Sequence, residues 1–125
     1  MRPVAVEAGV VAWLAGRLPA VHVGTRVPER RPPRFIRVGR TGGERLNLAQ
    51  ERPVVLVECW AADSVAAEQL AADAWAAMDA LAYTGPGWAH RVDLTSLVNF
   101  PDPDAPALTR YQFLASITAN LEVAV

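Results

Sequence analysis

The chain has 125 residues, a formal net charge of −1 and one cysteine, Cys59. This length predicts a single domain, residues 1–125, which buries roughly two-thirds of its unfolded surface. A lone cysteine excludes an intrachain disulfide and a cysteine-based metal site. No apolar run approaches the roughly 20 residues of a membrane span, and Glu7 inside the first apolar segment argues against a signal peptide.

Charge is divided unevenly along the chain. Residues 1–52 contain ten arginines and four glutamates, whereas residues 53–125 contain two arginines and nine acidic residues. Opposite charges within one domain indicate either ion pairs across the sheet or head-to-tail contact between copies. The sequence leaves both interpretations open.

The first predicted element is an amphipathic helix that begins at Pro3 and ends at Gly16 and Pro19. Its apolar side follows 3.6-residue spacing and consists of Val6, Val10, Trp13 and Leu14. Residues 20–26 alternate and predict a short strand. His22 within it has no carboxylate or cysteine motif nearby, so we interpret it as a packed or solvated residue.

Two runs rich in β-branched and aromatic residues, at residues 33–40 and 52–60, predict paired strands separated by a Gly-Gly break and a charged connector. Residues 41–43, Thr-Gly-Gly, indicate a turn. The second run carries Val55, Val57 and Cys59 on one face and Val54, Leu56, Glu58 and Trp60 on the other. We therefore expect both faces to be largely covered and this strand to lie inside the sheet.

Asp63 or Ser64 can cap a second helix that runs to about Ala82. Its predicted apolar face consists of Leu70, Ala71, Ala74, Ala77, Met78 and Leu81, with Trp75 at the margin. After a turn at residues 84–87, two alternating segments predict antiparallel strands at residues 88–100 and 110–121. The proline-rich residues 101–106 predict a stiff exposed loop between them, and His90 falls on the apolar face of the first of these strands.

The predicted order is one helix, three strands, a second helix and two strands. Two apolar helix faces can cover one side of a mixed or mostly antiparallel sheet of about four to five strands. The sequence therefore predicts a two-layer α+β domain, with both helices packed on one face of the sheet.

Eight arginines lie between Arg26 and Arg52, against three glutamates. The segment can be a solvated, proline-stiffened loop and strand edge, or a basic surface that faces nucleic acid or an acidic partner. Because the arginines alternate along a strand, without a helix carrying base-reading Asn or Gln, sequence-specific DNA recognition is not expected.

No catalytic arrangement is visible in the sequence. The serines lack a nucleophile-elbow context, the two histidines lack partners, and no His, Cys or Asp cluster has metal-ligand spacing. Asp102 and Asp104 stand in a proline-rich loop without the third acidic position of a calcium loop. We predict neither an enzyme nor a cofactor or metal site.

Several motifs, in this order and spacing, resemble the tail terminator (tail completion) proteins of long-tailed, non-contractile phages, especially those of high-GC actinobacteria. They are Phe-Ile-Arg-Val at 35–38, Thr-Gly-Gly at 41–43, Val-Glu-Cys-Trp-Ala at 57–61, Gly-Trp at 87–88, Phe-Pro-Asp-Pro-Asp at 100–104 and Arg-Tyr-Gln-Phe at 110–113. The resemblance covers roughly residues 3–121. It implies two helices on one face of a sheet, and a sixfold ring that caps the tail tube and offers a surface to the head connector.

The resemblance also implies the partners: copies of the chain itself, the tail tube protein and the head-tail connector protein, with no membrane and with DNA only passing through the ring. The expected location is the virion tail, after assembly in the host cytoplasm. Alternatives are another phage neck or tail tube subunit, a nonspecific nucleic-acid-binding module, or a small α+β enzyme. The candidate assembly interface consists of Arg26, Arg30, Arg31, Arg34, Arg37, Arg40, Trp60, Asp102 and Asp104.

Overall fold

The structure is a computed structural model and describes residues 1–123. Its elements in chain order are α1 (Val6–Arg17), β1 (His22–Gly24), β2 (Phe35–Arg45), β3 (Gln50–Ala61), α2 (Ser64–Thr84), β4 (Ala89–Asn99) and β5 (Thr109–Asn120). The strands form one five-stranded sheet in the order β1-β2-β3-β5-β4. β1 runs parallel to β2, and the other neighbours are antiparallel. The predicted α+β class is confirmed.

The main core lies between the two helices and one face of the sheet. Apolar side chains at 3.6-residue spacing on the helices meet alternating side chains on the strands, as their periodicities require. Val57 and Cys59 of β3 are fully buried in this core, which confirms their prediction. The helices contribute Val6, Val10, Leu14, Leu70, Ala71, Ala74, Ala77, Met78 and Leu81.

β3 lies at the centre of the sheet, as its apolar sequence predicts. It is paired on one side with β2 and on the other with β5, so that Val57 lies between Val38 and Phe113. The antiparallel pairing of β4 with β5 was also predicted and is confirmed. The position of β5 between β3 and β4 was not predicted, because alternation along a strand does not identify its neighbours.

The predicted turn at residues 41–43 is wrong. These residues continue β2 through an irregularity between Arg40 and Gly42, and the chain reverses later, at residues 46–49. The glycines are required there for another reason. Gly43 has a φ of +130°, and a Cβ atom on it would lie 2.4 Å from the main-chain oxygen of Arg52. Glycine at this position allows β2 to pass close to β3.

Two other boundaries differ from the prediction. α1 begins at Val6 instead of Pro3, because Arg2 is held outside the helix by main-chain hydrogen bonds with Glu122. The end of β4 is exposed, since the register shifts between Thr95 and Val98 and turns the strand away from the helices. The half-buried pattern therefore holds at Val92 and Leu94 and is lost at Leu97, Val98 and Phe100. His90 is also exposed.

The sheet face opposite the helices, here called the open face, is only partly covered. Glu58 and Trp60 are buried at one end of it, whereas Val54 and Leu56 are half-buried. The expectation that both faces of β3 are largely covered is therefore correct only at that end. The structure brings two long loops over Trp60 and none over Val54.

Candidate assembly surface

Seven of the nine candidate interface residues, all except Arg37 and Arg40, lie in or beneath two loops at one end of the sheet, where residues 26–34 and residues 100–108 pack together. We call these two loops the arginine-proline end. Beneath them the rings of Phe35 and Trp60 stack with centroids 4.6 Å apart and planes inclined by 16°. Ala105 is buried against this pair, and Val27 and Leu108 pack beside it. The stacked rings form a second, smaller core that fixes both loops to the sheet.

Arg110 of β5 connects this small core to the open face. Its Nη1 lies 3.0 Å from an oxygen of Glu58, and its Nε donates to the main-chain oxygen of Phe100 at 2.9 Å. Its guanidinium also lies 5.4 Å from the centroid of the Trp60 ring. Only 13% of the Arg110 side chain and 8% of the Glu58 side chain are exposed. A charge buried to this extent is tolerated because it is both paired and hydrogen-bonded.

Glu58 accepts a second arginine on its other oxygen. Arg37 Nη1 lies 2.6 Å from Glu58 Oε1, so one carboxylate joins β2, β3 and β5 across the open face. The register explains the arrangement, because Arg37 is the direct cross-strand neighbour of Glu58 on β2. Arg37 and Arg110 therefore link the three strands through Glu58, which is their common partner.

Asp102 attaches the 100–108 loop to the sheet through Trp60. One carboxylate oxygen accepts the Trp60 indole N–H at 3.1 Å, and the other accepts the main-chain N–H of Asp104 at 3.0 Å. Desolvation raises the pKa of Asp102, but these hydrogen bonds and the charges of Arg110 and Arg31 outweigh it. The pKa of Asp102 consequently lies below its usual value.

The remaining arginines of this end have different environments. Arg31 donates to the main-chain oxygen of Asp104 at 3.0 Å and joins the two loops. Arg26, Arg30 and Arg34 are exposed, and their side chains make no hydrogen bond or ion pair with the part of the chain that the structure describes. No carboxylate within residues 1–123 forms an ion pair with these three side chains.

The structure does not place Arg34, Arg37 and Arg40 on one surface. Arg37 lies on the open face, while Arg40 lies on the helix face and pairs with Glu51 at 2.9 Å. Arg37 and Arg40 therefore have buried acidic partners, whereas Arg34 makes no ion pair within residues 1–123. Trp60, another member of the candidate interface, is only 1% exposed, so its side chain is not accessible in this monomer.

Beyond the arginine-proline end, the open face carries half-buried apolar side chains. Leu56 of β3 and Leu114 of β5 are direct neighbours across the strands, and both are half-buried. On the β2 side their neighbours are glycines: Gly39 lies opposite Leu56 and Gly42 opposite Val54. Gly39 is buried beneath the Arg37 guanidinium, whereas Gly42 is exposed, and a Cβ atom on it would meet nothing within 4 Å. Of the two glycines, Gly42 alone lets another polypeptide approach the backbone closely.

Sequence reasoning missed two residues that organise this surface, Glu58 and Arg110. Glu58 is the only charged residue between Val54 and Trp60, and a carboxylate in a central strand requires a buried partner. That signal could have been used. Its partner Arg110 is 52 residues away in sequence, and only the packing of β5 against β3 identifies it.

The structure offers little reactive chemistry. Burial, reinforced by the charge of Glu58, raises the pKa of the Cys59 thiol far above its usual value, so Cys59 is an inert core residue. Within residues 1–123 no group of three His, Cys, Asp or Glu side chains is arranged to hold a metal ion. No helix in the same residues is long and apolar enough to cross a membrane. No family model matches the chain, and no curated protein is significantly similar to it.

Proposed function

We propose that the chain is a structural phage protein that forms a ring on the end of the tail tube. The ring stops tube polymerisation and offers a joining surface to the head connector. The sequence motifs that resemble tail terminators support this proposal, and so does the two-layer α+β architecture that the resemblance implies. The same resemblance favours the virion tail as the location and six as the number of copies.

The observation that carries the proposal is the open face of the sheet. Val54, Leu56 and Leu114 lie half-buried on it, and no helix or loop within residues 1–123 covers them. An antiparallel sheet can expose one face to water, but that face is then normally polar. Apolar side chains left on the open side of a sheet favour a contact that another subunit completes.

Charge supports contact between unlike surfaces of neighbouring copies. The exposed arginines Arg26, Arg30 and Arg34 lie at one end, while the outer side of α2 exposes acidic residues, Glu68, Asp73 and Asp79. Contact between a basic patch on one copy and an acidic patch on the next is heterologous, and such contacts close into rings or extend as filaments. A protein that ends a tube requires the closed form.

The test is to polymerise a tail tube protein with and without this protein and to measure tube lengths and tube ends by electron microscopy. We expect shorter tubes with a density cap. Leu56→Glu, which places a charge on the open face, should abolish capping, whereas Leu48→Glu in the reversal at residues 46–49, where Leu48 is 80% exposed, should retain it. A folded protein that never associates with tube ends would overturn the proposal, and one that itself polymerises into tubes would be a tube subunit.

A second candidate, a nonspecific nucleic-acid-binding module, is favoured by the unpaired Arg26, Arg30 and Arg34. Each phosphate contact contributes about −0.9 to the slope of log K against log salt on duplex DNA. The test variant changes Arg26, Arg30 and Arg34 to Glu. Strong DNA binding with a slope near −3, and its loss in this variant, would support the alternative. The proposed ring requires no such affinity in the isolated protein.

A further inference from the structure

A groove of about 540 Å³ lies between α1 and the turn that precedes β4. Its walls are the half-buried rings of Trp13 and Trp88, together with Pro86. Gly9 lets the Trp88 ring pack directly on α1, because a Cβ atom there would lie 2.8 Å from that ring. The inner sides of both rings pack against the main core, and their half-buried outer sides line the groove.

The chemistry of the groove is suited to proline. Aromatic side chains that flank a shallow channel offer apolar surfaces on which proline rings pack. The rim of this channel carries one cation, Arg17, with Asp73 nearby. Arg17 lies 4.2 Å from the centroid of the Trp13 ring and donates to Thr84, a groove residue, at 2.7 Å. An acidic, proline-rich segment therefore fits best.

This chain carries one such segment, Pro-Asp-Pro-Asp-Ala-Pro at residues 101–106. Pro103, Asp104 and Pro106 are exposed. The Asp104 carboxylate makes no hydrogen bond with any residue in 1–123; only its main-chain atoms bond, to Asp102 and Arg31. The other proline-rich segment, residues 28–33, carries two arginines and one glutamate, and its charge opposes Arg17.

The loop cannot reach the groove of its own molecule. Trp88 directly precedes β4 and residues 101–106 follow it, and an 11-residue strand separates their ends by roughly 30 Å at about 3.3 Å per residue. We infer that the proline-rich loop of one copy binds the Trp13-Trp88 groove of a second copy, with Asp104 close to Arg17 of that copy. A contact between opposite ends of the molecule is heterologous, as a ring requires.

The inference rests on the proposed function only in that copies of the chain associate. It also agrees with the charges nearby. Asp73, an exposed acid of α2, lies beside Arg17 and Leu18 on the same side of the molecule as the groove. When the arginine-proline end of one copy approaches the groove of the next, its free arginines come near α2 acids and Asp104 comes near Arg17.

The first test uses the full chain and a synthetic peptide of residues 99–108. In ¹H–¹⁵N spectra we expect saturable shifts of the Trp13 and Trp88 indole signals, with the Trp60 and Trp75 indoles unchanged. A peptide with Asp104→Arg should bind on the order of tenfold more weakly, because a charge-assisted contact becomes a repulsion. The matched control is a peptide of residues 26–34, which is proline-rich and basic. No saturable shift, or equal binding of the control, would overturn the inference.

The second test uses charge reversal in the protein itself. Arg17→Asp and Asp104→Arg should each reduce self-association, measured by sedimentation at high concentration. A mixture of the two variants should form heterodimers, because the reversed loop of one then matches the reversed groove of the other. If Arg17→Asp fails to fold, Arg17→Ala replaces it in the single-variant measurement. No loss in any folded variant would overturn the inference.

The results separate the two proposals. Tube capping that survives both single variants removes the groove contact and leaves the proposed function standing. If the protein binds the peptide at the groove but never associates with tube ends, the groove contact stands and the proposed function is removed.

Discussion

Glu58 is the residue on which the open face of the sheet depends most. Its two oxygens bind Arg37 from β2 and Arg110 from β5, so one buried carboxylate joins three strands. The two arginines differ in exposure, with 36% of the Arg37 side chain and 13% of the Arg110 side chain accessible. Because of this difference, removing Glu58 and removing Arg37 should lower the free energy of unfolding by unequal amounts.

Glu58→Ala should lower the free energy of unfolding by about 3 kcal/mol, because it leaves the guanidinium of Arg110 buried without its carboxylate. Arg37→Ala should lower it by about 1 kcal/mol or less, since Arg37 is partly solvated and Glu58 retains Arg110. Urea denaturation followed by circular dichroism measures both values. If the two variants lost the same free energy of unfolding, burial of Arg110 would not depend on its pairing with Glu58.

Val57→Asp tests the core directly. Val57 is fully buried between β3 and the helices, so an aspartate there places an unpaired carboxylate in an apolar environment. The cost is several kcal/mol, comparable with the roughly 5–15 kcal/mol that stabilises a small domain. We expect loss of cooperative unfolding. Leu56→Asp is the matched control, because the adjacent side chain points to the open face and should be tolerated better. A soluble Val57→Asp protein that unfolds cooperatively would refute the strand assignment.

At the scale of single elements, periodicity predicted most of the structure. The 3.6-residue spacing of Leu70, Ala74, Met78 and Leu81 identified the buried face of α2, and Asp63 caps that helix through a 2.8 Å bond from the Ala66 N–H. Alternation likewise identified β3 and β5. These signals succeed because each depends only on which side of one element is apolar.

Features that depend on two elements were not accessible from the sequence. The order β3-β5-β4, the reversal at residues 46–49 and the Arg40–Glu51 pair all require a register that no single segment contains. The Gly42-Gly43 sequence was misinterpreted for the same reason. Its conformation serves a close approach to Arg52 on β3, and glycine at a turn has the same local signature.

The 100–108 loop should be sensitive to acid through Asp102. An unfolded aspartate titrates near pH 3.9, and the pKa of Asp102 in the fold is lower, so its bonds stabilise the loop above roughly pH 4. That contribution is lost as the pH falls through the folded pKa. Following the Trp60 indole signal from pH 7 to 2 should show the loop releasing below pH 4. Asp102→Asn should remove this transition, and an unchanged acid transition in Asp102→Asn would assign it to another group.

For the whole molecule, the uneven charge of the two halves is partly balanced within the fold. Arg37–Glu58 and Arg2–Glu122 each connect the basic first half to the acidic second half. Intramolecular pairing was one of the two interpretations that the sequence left open. The exposed Arg26, Arg30 and Arg34 make no such pair within residues 1–123.

The last prediction separates arginines that assemble copies from arginines that hold the fold. Changing Arg26, Arg30 and Arg34 to Glu should leave the melting temperature nearly unchanged, because exposed side chains without partners contribute little to stability. The same variant should no longer cap tail tubes, since its basic patch becomes acidic. The matched control, Arg37→Glu with Arg40→Glu, should unfold, because it places like charges beside the buried Glu58 and Glu51. Thermal denaturation and electron microscopy of tube ends measure the two effects. A triple variant that still caps tubes would mean that the patch is only a solvated surface, and the ring contact would then lie on the open face and the groove.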